Sequence, residues 1–337
     1  MRPVVLPPNG VERFYRGGPA IAALRGIEPH GTHVPEDWVG STTTVIGEGE
    51  RGLSRLPGGE LLRDAIAGDP VGFLGAGNAA RRGADPALLV KLLDAGQRLP
   101  VHVHPDRAFA RAALGVPYGK TEAWIIVGAN TADATVHVGF REDVAPETLE
   151  RWVDEQDGAA LLGALNPCPV KPGDALFVPA GVPHAIGEGL LIVELQEPSD
   201  LSVLLEWRGF GIDDLLEASL GLGWDSALGC VDRLGRDIAA LRGPPPDGPV
   251  ARLLPKEADP FFRAERVAPA PEAEIERGFA VLVVLDGGGT LEPEDGGSLE
   301  LRRGNTVLLP HGAGACRVSG EVVLIACRPP AANGAGA

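Results

Sequence analysis

Short apolar runs separated by glycine, proline and aspartate recur along this chain and restrict what it can fold into. The clearest runs lie at 99–106, 121–129, 134–140, 174–181, 190–197 and 201–207. Runs of this length between turn residues predict β-strands joined by tight turns. The 47 glycines and 31 prolines fit such turns, and a hydrophobic content of 44% is enough for a packed core. We therefore predict a globular, mainly β protein with helical insertions.

The runs fall into two regions, which divide the 337 residues into predicted domains. The predicted segments are an N-terminal domain at 1–210 that includes a helical insertion at 59–98, a helical segment and linker at 211–248, a C-terminal β domain at 249–330 and a disordered tail at 331–337. The insertion is predicted helical because its apolar residues recur at helical spacing, ending at a glycine. Both β regions contain a Gly-x5-Pro pattern, at 173–179 and 304–310. This shared pattern indicates two related β-barrels in tandem.

Composition excludes several classes of protein. The chain has 30 Lys and Arg residues and 46 Asp and Glu residues, so its net charge is −16. Nucleic-acid-binding proteins need clustered positive charge, so this composition argues against that class. No run approaches the roughly 18 apolar residues of a membrane span, and the first residues lack the apolar region of a signal peptide. The four cysteines are far apart and form no CxxC pair. We expect a cytoplasmic protein with reduced cysteines and no nucleic-acid or membrane partner.

The positions of three histidines along the chain indicate a binding site. His102 and His104 alternate with valines in a strand-like run, so both imidazoles are predicted to lie on one face of a strand. His184 ends the phrase GDALFVPAGVPH, which fits G-x5-P-x-G-x2-H, and Glu122 lies beside another strand-like run. Three imidazoles and one carboxylate suit zinc, manganese, iron or nickel. We therefore predict a divalent metal site formed by these four residues.

The remaining histidines show no comparable pattern. We interpret them as structural residues: His30, His33, His137 and His311. The C-terminal β domain offers no His-x-His pair, so it is predicted to bind no metal.

Four phrases that follow one another in a specific order resemble a known family. The chain is similar to type I mannose-6-phosphate isomerases in VHVHPD (101–106), GKTEAW (119–124), GDALFVPAGVPHAIG (173–187) and ELQEPSD (194–200). A fainter similarity extends over most of the chain. These isomerases are zinc enzymes with two cupin domains. The resemblance implies a divergent member with two tandem cupin (jelly-roll) β-barrels, the first of which carries the site.

Position by position, the resemblance implies that His104, Glu122 and His184 hold the zinc. His102 stands where the family usually has a glutamine that binds through its amide oxygen. Histidine keeps a ligand at this position but changes the donor to nitrogen, which gives the three-His, one-carboxylate set of ordinary cupins. Because a nitrogen donor is softer than an amide oxygen, manganese, iron and nickel stay open beside zinc.

The resemblance also implies catalytic residues. Lys120 matches the family's lysine beside the metal-binding glutamate and is one of only four lysines in the chain. Glu194 matches the carboxylate of the family's EIQ-like phrase. One departure stands out, because Leu204 occupies the position of an arginine that is held to assist proton transfer. Arg208 lies four residues further on and would share the face of Leu204 if the strand continued that far. We therefore include Lys120, Glu194 and Arg208 as candidate catalytic residues.

The predicted function is metal-dependent aldose–ketose isomerisation through an enediol, with mannose 6-phosphate and fructose 6-phosphate as the default pair. Three alternatives stay open. The chain acts on unphosphorylated sugars such as mannose and fructose, or it is an Fe(II) cupin dioxygenase, or it is a non-catalytic sugar-binding protein. In the isomerase readings the partner is a small sugar or sugar phosphate. A monomer and a homodimer are both compatible with the sequence.

Overall fold

A computed structural model describes residues 1–212 and 215–331 of the chain. The strands are β1 (Val4–Val5), β2 (Gly10–Val11), β3 (Glu36–Val39), β4 (Leu89–Asp94), β5 (His102–Val103), β6 (Glu122–Ala129), β7 (Thr135–Phe140), β8 (Leu165–Pro169), β9 (Ala175–Val178), β10 (His184–Ile186), β11 (Leu190–Gln196), β12 (Val203–Leu204), β13 (Val250–Arg252), β14 (Arg263–Val267), β15 (Glu272–Ile275), β16 (Ala280–Pro293), β17 (Leu299–Arg302), β18 (Thr306–Leu309) and β19 (Cys316–Arg328). The prediction of a mainly β fold with helical insertions is confirmed.

The described α-helices are short. They are α1 (Pro19–Arg25), α2 (Leu62–Gly68), α3 (Pro70–Leu74), α4 (Ala76–Arg82), α5 (Arg107–Phe109), α6 (Pro146–Glu155), α7 (Gly158–Ala164), α8 (Leu215–Ala218) and α9 (Trp224–Ala227). Single turns of 3₁₀ or π-helix lie at Ala110–Leu114, Leu228–Cys230, Ile238–Leu241, Lys256–Ala258 and His311–Ala313. None of these helices is long and apolar enough to cross a bilayer.

Two antiparallel sheets face each other in the first part of the chain. The five-stranded sheet has the order β12-β5-β10-β7-β8, and the six-stranded sheet has the order β2-β3-β4-β11-β6-β9. Apolar side chains from both sheets form one buried cluster between them, including Trp124, Ile126 and Ile192 from the six-stranded sheet and Val136 and Val138 from the other. The five-stranded sheet is covered on its outer side by α6 and α7. This arrangement gives the two sheets a common interior.

The six-stranded sheet is buried on both faces. In β4, Val90 and Leu92 join a cluster with Val281 and Ile325 of the C-terminal sheet, while Leu93 packs toward the five-stranded sheet. All six residues of β4 are buried. A strand with two buried faces loses the alternation of polar and apolar residues that identifies a strand in a sequence.

The helical prediction for 59–98 is therefore wrong for Leu89–Asp94. The structure has the helices α2, α3 and α4 between residues 62 and 82, and then the strand β4. The predicted helical segment at 211–248 is also mostly irregular among its described residues, where only short helical turns occur. Of the predicted tail at 331–337, residues 332–337 lie outside the described part of the chain.

An eight-stranded sheet forms the C-terminal part. Its main order is β1-β18-β16-β19-β14-β13, with β15 paired to β19 and β17 paired to β16. It has a core of its own, which includes Ile275, Leu291 and Leu324. Val4 and Val5 of β1 pair with Leu308 and Val307 of β18, so the first residues of the chain extend this sheet.

Candidate metal centre

A cavity of about 780 Å³ opens beside the common interior of the two facing sheets. Its lining includes His102 and Leu204 from the five-stranded sheet and Lys91, Glu122 and Glu194 from the six-stranded sheet. Loop residues complete the walls. The cavity is large enough for a small ligand and combines apolar walls with a few charged groups, as binding sites commonly do.

Three predicted ligands converge at this cavity from the five-stranded sheet. His102 in β5 is the direct cross-strand partner of His184 in β10, and His104 follows β5 immediately. The potential ligand atoms of the three histidines lie within 4.8 Å of one another, and all three residues are buried. Because His102 and His104 are two residues apart on extended backbone, they share one face. The structure thus brings together the histidines that the sequence singled out.

Backbone carbonyls fix the orientation of each ring. The Nδ1 atom lies 2.8 Å from the carbonyl oxygen of Pro100 in His102, of Leu201 in His104 and of Val182 in His184. A carbonyl oxygen can only accept a hydrogen bond, so Nδ1 carries the proton and Nε2 presents its lone pair. Metal-binding histidines are usually oriented by a bond of this type.

Burial keeps two of these imidazoles neutral. Burial and the neighbouring His184 lower the pKa of His102 well below its ordinary value. Burial and the ammonium of Lys120 lower the pKa of His104 to about 3. A neutral imidazole is the form that binds a metal.

Glu122 approaches the histidines from the opposite sheet. Its Oε2 atom lies 3.1 Å from His104 Nε2, and its Oε1 atom lies 3.3 Å from His184 Nε2. Trp124 Nε1 donates a hydrogen bond of 2.9 Å to Glu122 Oε1 and orients the carboxylate. His184 Nε2 is buried without a hydrogen-bond partner among the described residues. Because an unpaired buried lone pair is costly, this atom and its neighbours fit a bound cation.

Lys120 and Glu194 lie next to this cluster. Lys120 Nζ is 2.9 Å from His104 Nε2, 3.2 Å from Glu122 Oε2 and 3.8 Å from Glu194 Oε1. Burial alone would lower the pKa of Lys120, but the two carboxylates outweigh it and raise the pKa. Burial and the charge of Glu122 raise the pKa of Glu194 to about 8. The arrangement places a buried ammonium and a readily protonated carboxyl beside the candidate metal site.

A second group of charged residues in the cavity wall is absent from the predicted site. Lys91 is the cross-strand partner of Glu194, and its Nζ lies 3.5 Å from Glu36 Oε2. Arg13 Nε lies 3.1 Å from Glu36 Oε1, and the Arg13 guanidinium also pairs with Asp200. Charges of opposite sign therefore alternate from Arg13 through Glu36 and Lys91 toward Glu194. One signal was available, because Lys91 is one of four lysines and stands in an otherwise apolar run.

The prediction for Arg208 is wrong in its premise. Strand β12 ends at Leu204, so the alternation that would align the two residues does not continue. Arg208 is exposed, does not line the cavity, and its Nη1 donates to the carbonyl oxygen of Glu155 at 3.3 Å. Leu204 itself lines the cavity and is the cross-strand partner of His102.

Comparison with known proteins gives matches of two kinds. No protein-family model matches the chain. The mannose-6-phosphate isomerase of Streptococcus mutans is 40% identical over 113 residues, which are 34% of this chain and 34% of that protein. The match thus spans about a third of the curated relative.

Solved structures match over almost the whole chain. A mannose 6-phosphate isomerase from Bacillus subtilis superposes with a TM-score of 0.78 at 24% identity, covering 97% of this chain and 100% of that one. A mannose 6-phosphate isomerase bound with zinc and yttrium superposes with a TM-score of 0.75 at 19% identity, covering 98% and 100%. This chain has the fold of a mannose-6-phosphate isomerase. At these identities the structures establish the fold alone.

Proposed function

We propose that this protein is a metal-dependent aldose–ketose isomerase that interconverts mannose 6-phosphate and fructose 6-phosphate. The observation that carries the proposal is the site itself. Three buried histidines lie together, two of them, His104 and His184, present Nε2 to Glu122, and a lysine and a second carboxylate lie beside them. The name of the Streptococcus mutans relative supports the choice of substrate pair.

We propose zinc as the metal, held by His102, His104, Glu122 and His184. The donor set fits a divalent cation, and one similar structure was determined with zinc. A bound divalent cation would hold sugar oxygens and stabilise negative charge that develops on them. The third histidine also suits manganese, iron or nickel, so metal analysis is part of the test.

The chain's own residues have distinct roles in this proposal. Isomerisation moves a proton between C1 and C2 of the sugar, which requires a group that can both take and give a proton. Glu194 fits this role because a carboxyl with a pKa near 8 exchanges protons near neutral pH. Lys120 has three donor hydrogens and lies between Glu122 and Glu194. It would hold the sugar oxygens and offset negative charge in the buried site.

Lys91, Glu36 and Arg13 are proposed to position Glu194 rather than to react. Glu36 accepts hydrogen bonds from Tyr15 Oη and Trp38 Nε1, each at 2.6 Å, besides its contacts with Arg13 and Lys91. A carboxylate with four donors is held rigidly, and it fixes the ammonium of Lys91 opposite Glu194. Sites held by such surrounding contacts are preorganised for reaction.

A specific observation favours unphosphorylated aldoses as a second candidate substrate. Three cationic and six acidic side chains line the described cavity; the acidic ones are Glu36, Glu48, Glu122, Glu194, Asp200 and Glu217. Each of the three cations, Arg13, Lys91 and Lys120, is already paired with a carboxylate. Leu204 also removes the cation that the family resemblance leads one to expect. The cavity therefore offers a phosphate dianion less positive charge than a binding site for mannose 6-phosphate is expected to have.

Metal analysis followed by a coupled assay tests the function. Purified protein, treated with chelator and reloaded with zinc, manganese or iron, is supplied with mannose 6-phosphate and separately with mannose. Ketose formation that depends on the added metal supports the proposal, and the ratio of the two rates selects the substrate. Oxygen consumption with iron alone would support a dioxygenase, and sugar binding without turnover would support a binding protein. Either result would overturn the isomerase proposal.

We also propose the division into two cupin domains at 1–210 and 249–330, joined by 211–248, except that β1 belongs to the C-terminal sheet. The four cysteines are free and buried, which agrees with the proposed cytoplasmic location. A monomer or homodimer remains the proposed assembly.

A further inference from the structure

A second cavity, of about 190 Å³, lies between the helices α3 and α4 and the C-terminal sheet. It is distinct from the candidate metal centre, because the two cavities share none of their lining residues. Its titratable lining residues are Arg263, Arg277, Arg328, His311 and Glu276. We refer to this space as the arginine cavity. Three guanidinium groups around one small space are unusual in a chain with a net charge of −16.

Two of the arginines face each other directly. Arg263 in β14 is the cross-strand partner of Arg328 in β19, and like charges in directly opposite positions destabilise a sheet. Burial, together with the facing Arg328, lowers the pKa of Arg263 below its ordinary value. The fold thus holds two guanidinium groups side by side, with their repulsion partly offset by Glu265, Asp259 and Glu276.

The described residues supply hydrogen-bond partners to Arg328 but none to the Nε of Arg263. Arg328 Nε lies 3.1 Å from Glu265 Oε2, and one Nη atom donates to the Glu276 carbonyl oxygen at 2.9 Å. The Nε of Arg263 is buried and has no hydrogen-bond partner among the described residues. Arg277, at the exposed rim, pairs with Glu294 at 2.6 Å. The arginine cavity is therefore lined by a residue with a buried guanidinium nitrogen that no described residue pairs with.

Two glycines keep space for the basic side chains. A Cβ atom on Gly278 would lie 2.9 Å from Nη1 of Arg328, and a Cβ on Gly75 would lie 2.5 Å from Cδ2 of His311. Both glycines line the cavity. A larger residue at Gly278 would displace the Arg328 guanidinium, and one at Gly75 would displace the His311 ring.

We propose that the arginine cavity binds a small oxyanion of the phosphate class, either free phosphate or the phosphoryl group of a sugar phosphate. Guanidinium groups donate paired, charge-assisted hydrogen bonds that match the oxygens of phosphate. The volume accommodates one such group but no nucleotide. A bound oxyanion offsets the repulsion between Arg263 and Arg328 and joins the helices α3 and α4 to the C-terminal sheet. The site is independent of the isomerase proposal.

The test compares the melting temperature of wild type, Arg263→Gln and Arg302→Gln in chloride and in phosphate buffers of equal ionic strength. Arg302 is the matched control, because it lies on the same sheet, is exposed, pairs with Glu300 at 2.8 Å and does not line the cavity. In chloride, Arg263→Gln is expected to raise the melting temperature by about 2 °C because it removes an unpaired like charge. Phosphate is expected to stabilise wild type and Arg302→Gln but not Arg263→Gln.

Isothermal titration with inorganic phosphate gives a second readout, in which Arg263→Gln should weaken binding about tenfold or more. Titration with glucose 6-phosphate separates the two sources of the oxyanion. Tighter binding of the sugar phosphate that is lost in Arg263→Gln supports a phosphoryl group as the natural ligand, and tighter binding of inorganic phosphate that is lost in Arg263→Gln supports the free ion. Equal stabilisation of all three proteins by phosphate would overturn the proposal, as would a loss of stability in Arg263→Gln without phosphate.

Discussion

Leu204 lies directly opposite His102 on the neighbouring strand, and both side chains line the main cavity. An apolar side chain thus occupies the cavity wall next to a candidate metal ligand, where the family resemblance leads one to expect an arginine. Leucine can neither donate a hydrogen bond nor stabilise a negative charge. Leu204 is therefore the residue of the cavity that differs most clearly from what the family resemblance implies for an isomerase.

Replacing Leu204 by arginine should shift selectivity toward the phosphorylated sugar. The added guanidinium increases the positive charge of a cavity in which acidic residues outnumber basic ones. We expect kcat/KM for mannose 6-phosphate to rise about tenfold relative to that for mannose, as one charge-assisted hydrogen bond would give. Leu204→Met is the control for volume. If Leu204→Arg changes kcat/KM equally for the two sugars, residue 204 does not contribute to recognition of the phosphate.

Removing a metal ligand should abolish metal binding. His184→Ala leaves two imidazoles and one carboxylate, and we expect metal content to fall from about one ion per chain to almost none. The measurement is elemental analysis after dialysis. His137→Ala is the matched control, since His137 lies on the same sheet but outside the candidate ligand cluster. A full metal complement in His184→Ala would contradict the assigned ligand set.

Glu194→Gln should separate chemistry from metal binding. Glutamine keeps the shape of the side chain but cannot carry the proton, so we expect kcat to fall by about 10² to 10⁴ with the metal content unchanged. Lys120→Gln should lower kcat as well, while Lys171→Gln, in an exposed turn, serves as the control. Activity of Glu194→Gln within a few fold of wild type would exclude Glu194 as the proton carrier.

The lowered pKa of Glu36 leads to a prediction of how the free energy of unfolding depends on pH. Burial alone would raise its pKa, but Arg13 and Lys91, with hydrogen bonds from Tyr15 and Trp38, hold the pKa well below its usual range. A carboxyl with a depressed folded-state pKa stabilises the fold above its unfolded pKa of about 4.5, and this contribution is lost as pH falls further. The difference in unfolding free energy between wild type and Glu36→Gln should therefore be constant from pH 7 to about pH 5 and shrink below about 4.5. A difference that grows on acidification would contradict this account.

Local patterns identified the residues that converge at the candidate site. The His102-x-His104 spacing worked because strand geometry places alternate residues on one face. The phrase that ends at His184 identified this ligand correctly because its proline and glycine define a turn. Lys120 and Glu194 depended on the family resemblance rather than on spacing.

Each failure of the sequence analysis at the site has its own physical cause. Lys91 was hidden because β4 is buried on both faces, so its apolar run has no period that separates strand from helix. Arg13 reaches Asp200 across 187 positions of the chain, and single-sequence patterns contain no information about such contacts. The prediction for Arg208 is wrong because it assumes that the strand continues to residue 208. Strand β12 ends at Leu204, and only the tertiary structure determines this end.

We propose that this chain isomerises an aldose at the candidate metal centre, with Glu194 as the proton carrier. The most direct test is ¹³C NMR of mannose 6-phosphate labelled at C2, incubated with zinc-loaded wild type, with zinc-loaded Glu194→Gln and with chelator-treated wild type. In a parallel series, mannose labelled at C2 replaces the labelled mannose 6-phosphate. The account predicts the C2 signal of the ketose with zinc-loaded wild type and none, or a greatly slowed signal, in the other two samples. No ketose from either sugar with a stoichiometric metal load, or equal ketose formation by all three samples, would contradict it.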